Sequence, residues 1–151
     1  MNRWSSRFPH SHRTQRGFTL LEVLVSMIVI VLGLLGYAGL QATSIKNNHT
    51  AYLRSQATML AHDIVERMRV NQAAAIAGSY NVSFGSTPGG GGVAGDDISE
   101  WKRNLSQSLP AGDGKVTVFG AGAQQGIVQI EVQWDDSGDG SLTNFTTQSR
   151  L

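Results

Sequence analysis

The sequence predicts an α+β fold, a long N-terminal α-helix packed on a small antiparallel β-sheet, and three observations predict it. Residues 23–40 carry no charge, and Ser26 is their only clearly polar side chain. No proline interrupts residues 41–75, where Ile45, Leu53, Ala57, Leu60, Ile64 and Met68 recur at the spacing of one helical face. After Gly78 the chain changes to short alternating segments separated by glycine-rich turns.

One helix from about residue 18 to about residue 75 would be roughly 85 Å long at about 1.5 Å per residue. Its first half, residues 18–40, is apolar all round and meets the length of roughly 18 residues that a membrane-spanning helix requires. Its second half, residues 41–78, is amphipathic. Lys46, Arg54, Thr58 and Glu66 occupy other faces, and Asp63 stands four residues before Arg67, the spacing of a helical ion pair. The first half is therefore expected among lipid or other helices, and the second against a folded domain. Gly33, Gly36 and Gly39 punctuate the apolar half, each weakening a helix by about 1 kcal/mol relative to alanine. Three readings stand for them: the ordinary frequency of glycine in membrane helices, close helix packing, and local unwinding.

The remaining region, residues 79–151, reads as one modest globular unit. Residues 80–84 suggest a short strand, and the glycine-rich stretch 85–92 a loop. Asp96 or Asp97 is expected to cap a helix in which Ile98, Trp101, Leu105 and Leu109 share a face, with Pro110 and Gly112 stopping it. Strands are expected over 115–119, 127–134 and about 144–150, with loops at 120–126 and 135–142. In the second strand Val128, Ile130, Val132 and Trp134 fall on one side, and Gln129, Glu131 and Gln133 on the other.

Residues 1–17 form a basic leader containing Arg3, Arg7, Arg13 and Arg16 and no acid. Arginine on one flank of a spanning helix holds that flank in the cytoplasm, so the chain beyond residue 40 is expected across the membrane. The whole chain has 12 basic and 11 acidic residues, a net charge of +1. Four of the basic residues lie in the leader, so without it eight face 11 acids and the charge becomes −3. A mildly acidic chain has no electrostatic footprint for nucleic acid or anionic lipid. There is no cysteine, so stability must come from packing or assembly.

An acid at the mouth of a hydrophobic segment is costly, about 2.5–3.5 kcal/mol at a helix centre on insertion scales. Glu22 can snorkel to the interface or pair with a cation in a neighbouring chain. The stretch Arg16-Gly17-Phe18-Thr19-Leu20-Leu21-Glu22 resembles the class III signal of type IV pilins and type II secretion pseudopilins. That resemblance implies a bacterial inner-membrane protein, cut after Gly17 by a prepilin peptidase and N-methylated on Phe18. It favours pairing of Glu22 with the N-terminal ammonium of a neighbouring subunit as an assembly contact. An ordinary secretory signal is instead cut beyond its apolar core, where Gly39 and Ala42 only loosely supply a small-x-small site.

Further along, Asn47-Asn48-His49-Thr50-Ala51-Tyr52-Leu53-Arg54-Ser55-Gln56-Ala57 and Asp63-Ile64-Val65-Glu66-Arg67-Met68-Arg69-Val70-Asn71 resemble the PilV family of type IV pilus modification proteins. Trp101-Lys102 and Val132-Gln133-Trp134-Asp135-Asp136 resemble the same family. The resemblance implies a type IV pilin-like fold and a non-enzymatic minor pilin. Its implied partners are other minor pilins, the major pilin and a tip-associated adhesin, in a complex that primes pilus assembly. A type II secretion pseudopilin, or a pilus-tip subunit for adhesion or DNA uptake, are the alternatives.

Several stretches suggest chemistry that the residues do not support. Residues 120–126 lack the spacing and the following helix of a dinucleotide loop, and the glycine run 89–92 lacks the lysine of a P-loop. Asp135, Ser137, Asp139 and Gly140 match the start of a calcium loop, but Thr146 stands where a bidentate glutamate belongs, so a solvated turn is expected. His49 and His62 lie on the long helix with no cysteine to complete a metal site. Trp101 and Trp134, on apolar faces, are expected in the core rather than as ligand platforms. No cofactor is expected.

Overall fold

A computed structural model describes residues 17–87, 91–120 and 125–151. The leader 1–16, the centre of the glycine loop (88–90) and part of the 120–126 loop (121–124) lie outside the described residues. The elements run α1 (Leu20–Val70), α2 (Gln72–Ile76), α3 (Gly92–Ser108), β1 (Asp113–Phe119), β2 (Ile127–Asp135) and β3 (Leu142–Arg150). The chain forms two compact units, Met1–Thr43 and Ser44–Leu151.

In the first unit the described residues are the start of α1 and the three residues before it. This part of α1 is apolar on every face, and each large side chain from Leu20 to Leu40 is exposed. Such a surface is unfavourable in water, since apolar area costs about 25 cal/mol per Å2 exposed.

The second unit holds the core. Its sheet is a meander in the order β1-β2-β3, with both pairings antiparallel. Val116 lies opposite Ile130, and Ile130 opposite Thr147. Period-2 alternation buries Val116 and Val118 from β1 and Val128, Ile130, Val132 and Trp134 from β2 on one face. The α1 residues Leu53, Ala57, Ala61, Ile64, Val65 and Met68 share that core. From α3 come Ile98, Trp101 and Leu105, with Leu109 just after it. Trp101 also binds the two helices together, its Nε1 donating to the Leu60 carbonyl at 2.8 Å.

Four expectations are corrected by this packing. Ile45 does not join the core but is 65 % exposed, and Ala61 and Val65 are buried beside Ile64 instead. The long helix breaks at Asn71, where φ −113° and ψ 46° depart from helical values, before α2 resumes. Residues 80–84 form no strand; a single bridge, Val82 with Val116, is all that pairs there. Neither Asp96 nor Asp97 caps α3, because the helix starts earlier, with Gly91 as its extended N-cap and no side-chain cap bond. Gly92 takes φ +73°, a conformation that glycine adopts without steric cost.

Gly114 has a different reason to be glycine. A Cβ there would stand 2.2 Å from the Trp101 ring and 2.7 Å from Leu105 Cδ1, so α3 lies directly on the β1 backbone.

Candidate membrane and assembly segment

Gly17 and Phe18 precede the helix in irregular backbone, and Phe18 is 81 % exposed. A Cβ at Gly17 would meet nothing within 4 Å, and its φ is not in the left-handed region. Packing among the described residues therefore does not require glycine at that position.

Thr19 starts the helix. Its Oγ1 accepts the Glu22 N–H at 3.2 Å, and its carbonyl accepts the N–H groups of Glu22 and Val23. These bonds satisfy donors that a helix start otherwise leaves orphaned. Thr19 and Glu22 have the spacing of a capping box, Thr-x-x-Glu, a sequence signal that is missed when the acid is weighed for its charge alone. Glu22 thus stands in the first helical turn, where the positive end of the helix dipole favours a carboxylate. It is exposed, and Ser26 Oγ donates to its backbone carbonyl rather than to its carboxylate.

Beyond Glu22, α1 is long and apolar enough to cross a membrane. Gly33, Gly36 and Gly39 make no close approach among the described residues; an added Cβ at each would meet nothing within 4 Å. Thr43 Oγ1 bonds back to the Gly39 carbonyl at 3.1 Å.

The remaining candidate residues lie in the second unit, as does a polar network not foreseen from sequence. Asp63 and Arg67 pair at 3.1 Å, the contact their spacing predicts. Arg67 reaches further, to Glu100 at 2.8 Å and Asp97 at 3.4 Å, so one guanidinium joins α1 to α3. Asp97 also accepts the Tyr80 hydroxyl at 2.6 Å, and Asn71 Nδ2 donates to that hydroxyl at 3.3 Å. Burial and the bond to Asp97 push the Tyr80 phenol above its usual range. Hydrogen bonding to Arg67 pulls the Glu100 carboxyl below its own. Lys102 makes a second clamp, donating to the Ser83 and Ser86 carbonyls at 2.8 Å and lying 3.0 Å from Asp113.

Trp101 and Trp134 are both buried. His49 and His62 are exposed on α1, and His62 Nδ1 lies 2.9 Å from the Thr58 carbonyl. In the turn after β2, Asp135 Oδ1 accepts the N–H groups of Ser137 and Gly138, and its Oδ2 that of Gly140. Asp139 Oδ1 accepts from the Ser137 hydroxyl and the Ser141 N–H. The carboxylates that suggest a calcium loop are thus occupied in building the turn. Asp136 instead ties the turn to α1, accepting the Thr50 hydroxyl at 3.1 Å.

Two family models match the chain. Residues 12–38 match the prokaryotic N-terminal methylation motif, and residues 39–87 match the model described as type IV pilin Tt1218. No curated protein and no solved structure matches. The matched family is one of structural subunits rather than enzymes. The two matches adjoin over residues 12–87, and together with a long helix followed by a small antiparallel sheet they support a type IV pilin with a prepilin methylation motif.

Proposed function

We propose that this chain is a minor pilin of the PilV type, processed by prepilin peptidase and joining other minor pilins in a complex that primes assembly of the major pilin. A tip-associated adhesin is the further partner of that complex. The carrying observation is a coincidence in one segment. The methylation motif ends in an exposed apolar helix, and the acid in its first turn, Glu22, accepts no side-chain hydrogen bond among the described residues.

Cleavage falls after Gly17. That glycine answers no packing need among the described residues, which supports a requirement in the peptidase cleft, where a Cβ would obstruct the backbone. The new N-terminus is Phe18, which receives the methyl group. Residues 18–40 then span the inner membrane once, with the leader side cytoplasmic and residues 79–151 periplasmic.

Glu22 is the assembly contact. In a bundle of apolar helices its carboxylate pairs with the terminal ammonium of a neighbour, because an unpaired acid in hydrocarbon is expensive. Pairing couples the stagger of the subunits to their extraction from the membrane. N-terminal mass spectrometry of the membrane-extracted protein tests the pathway. A mature chain starting at methylated Phe18 is expected, and a start beyond Leu40 would overturn the reading.

A further inference from the structure

The stretch Trp134-Asp135-Asp136 closes β2 and opens the turn beyond it, and the proposed function makes no use of it. Asp135 builds that turn through the three backbone N–H groups its carboxylate accepts. Trp134 and Asp136 flank it at alternate positions, so both face the side that Asp135 turns from. That side carries α1. Trp134 belongs to the core that Leu53 and Ala57 share, and the Thr50 hydroxyl donates to Asp136 Oδ2 at 3.1 Å. Thr50, Leu53 and Ala57 follow one face of the helix.

Two polar atoms at this corner stand apart from the rest of the interior. Trp134 Nε1 and Asp136 Oδ1 are both shielded from solvent, and neither has a hydrogen-bond partner among the described residues. Trp134 as a whole is 1 % exposed. The indole N–H can only donate, and a carboxylate oxygen can only accept. Leaving either unpaired is costly, and buried polar atoms are ordinarily paired with protein or with ordered water. Trp101 shows the protein-paired case, its Nε1 donating to the Leu60 carbonyl.

The spacing favours a bridge over a direct bond. Alternate residues stand about 6.5–7 Å apart along a strand, whereas a direct N–H···O bond needs about 2.9 Å. One water, with a bond of about 2.8 Å on each side, joins groups roughly 4.5–5.5 Å apart.

We propose that this corner is a binding site for one buried water, which accepts from Trp134 Nε1–H and donates to Asp136 Oδ1. Such a water needs about two to four polar partners, and the site supplies one donor and one acceptor. The bridge fixes the Asp136 carboxylate in the orientation that receives the Thr50 hydroxyl. The turn between β2 and β3 is thereby fastened to α1, and each residue of Trp134-Asp135-Asp136 has a separate task in it. The site lies wholly within the second unit and does not rest on the pilin reading.

The test uses the full chain in detergent micelles, with isotope-labelled tryptophan indoles, and reads magnetisation transfer between each indole N–H and water by NMR. Trp134→Phe identifies the Trp134 signal. That N–H should show a water contact whose NOE and ROE have opposite signs, the mark of a long-lived water. Trp101 N–H, bonded directly to a carbonyl, should show none. Asp136→Asn keeps an acceptor oxygen and should keep the contact. Asp136→Leu, apolar and of similar shape, should lose it. An unchanged Trp101 indole shift shows that each variant is folded. The proposal is overturned by the lack of a water contact at Trp134, or by a scalar coupling across a direct bond to Asp136. Survival of the contact in Asp136→Leu, or its loss in Asp136→Asn, overturns it equally. Loss in Thr50→Val would assign the signal to the Thr50 hydroxyl proton and also overturn it.

Discussion

At the scale of single residues, two positions have reasons that differ in kind. Glu22 is legible from sequence because a lone acid beside 18 uncharged residues is conspicuous whatever the fold. Thr19, three residues earlier, was not foreseen as a cap although Thr-x-x-Glu is the spacing of a capping box, and its bond to the Glu22 N–H accounts for where the helix begins. On the proposed role, Glu22→Ala leaves export and processing intact but lowers the fraction of the protein recovered in sheared pili, scored by immunoblot; normal incorporation would contradict it. Gly114 cannot be singled out from sequence, since nothing in β1 distinguishes it from a weak strand position. Only the arrival of Trp101 and Leu105 on its backbone does so. Gly114→Ala should destabilise the second unit by about 1–3 kcal/mol, the usual cost of overpacking, and lower its thermal midpoint in circular dichroism. An unchanged midpoint would mean α3 can retreat without loss.

At the scale of elements, the strands and the α3 face are readable because period-2 and period-3.6 patterns are local. Val128, Ile130, Val132 and Trp134 are buried as their alternation predicts, and Ile98, Trp101 and Leu105 likewise. The cap expected at Asp97 fails because a cap is a local inference, whereas the partners of Asp97 come from elsewhere. Tyr80 stands 17 residues away and Arg67 stands 30. That network has a pH signature. A phenol whose folded pKa is raised contributes stability that is complete below its unfolded value and is lost as pH rises through the folded one. The unit should therefore weaken above about pH 10, the ordinary tyrosine range. Tyr80→Phe should cost about 1–2 kcal/mol at neutral pH, because Asp97 loses a donor, and should flatten the alkaline limb of a urea-denaturation series. An alkaline limb identical to that of the parent would remove Tyr80 from this account.

At the scale of the whole molecule, the proposed cleavage changes the charge. The full sequence has a pI near 8.2, whereas a chain starting at Phe18 would carry −3 and should focus on the acidic side. A bulky residue at Gly17 should leave the protein at the basic position, read by isoelectric focusing of membrane extracts; an acidic product from that variant would show that the glycine is dispensable. The sequence by itself determined the apolar half-helix, the acid at its start, the strand segments and their buried faces, because each depends on the spacing of side chains along a single element. Tertiary structure alone decided the break at Asn71, the exposure of Ile45, the single Val82 bridge and the partners of Asp97. These depend on which distant residues arrive beside a given backbone group, and pairing across dozens of residues leaves no periodic trace in the chain.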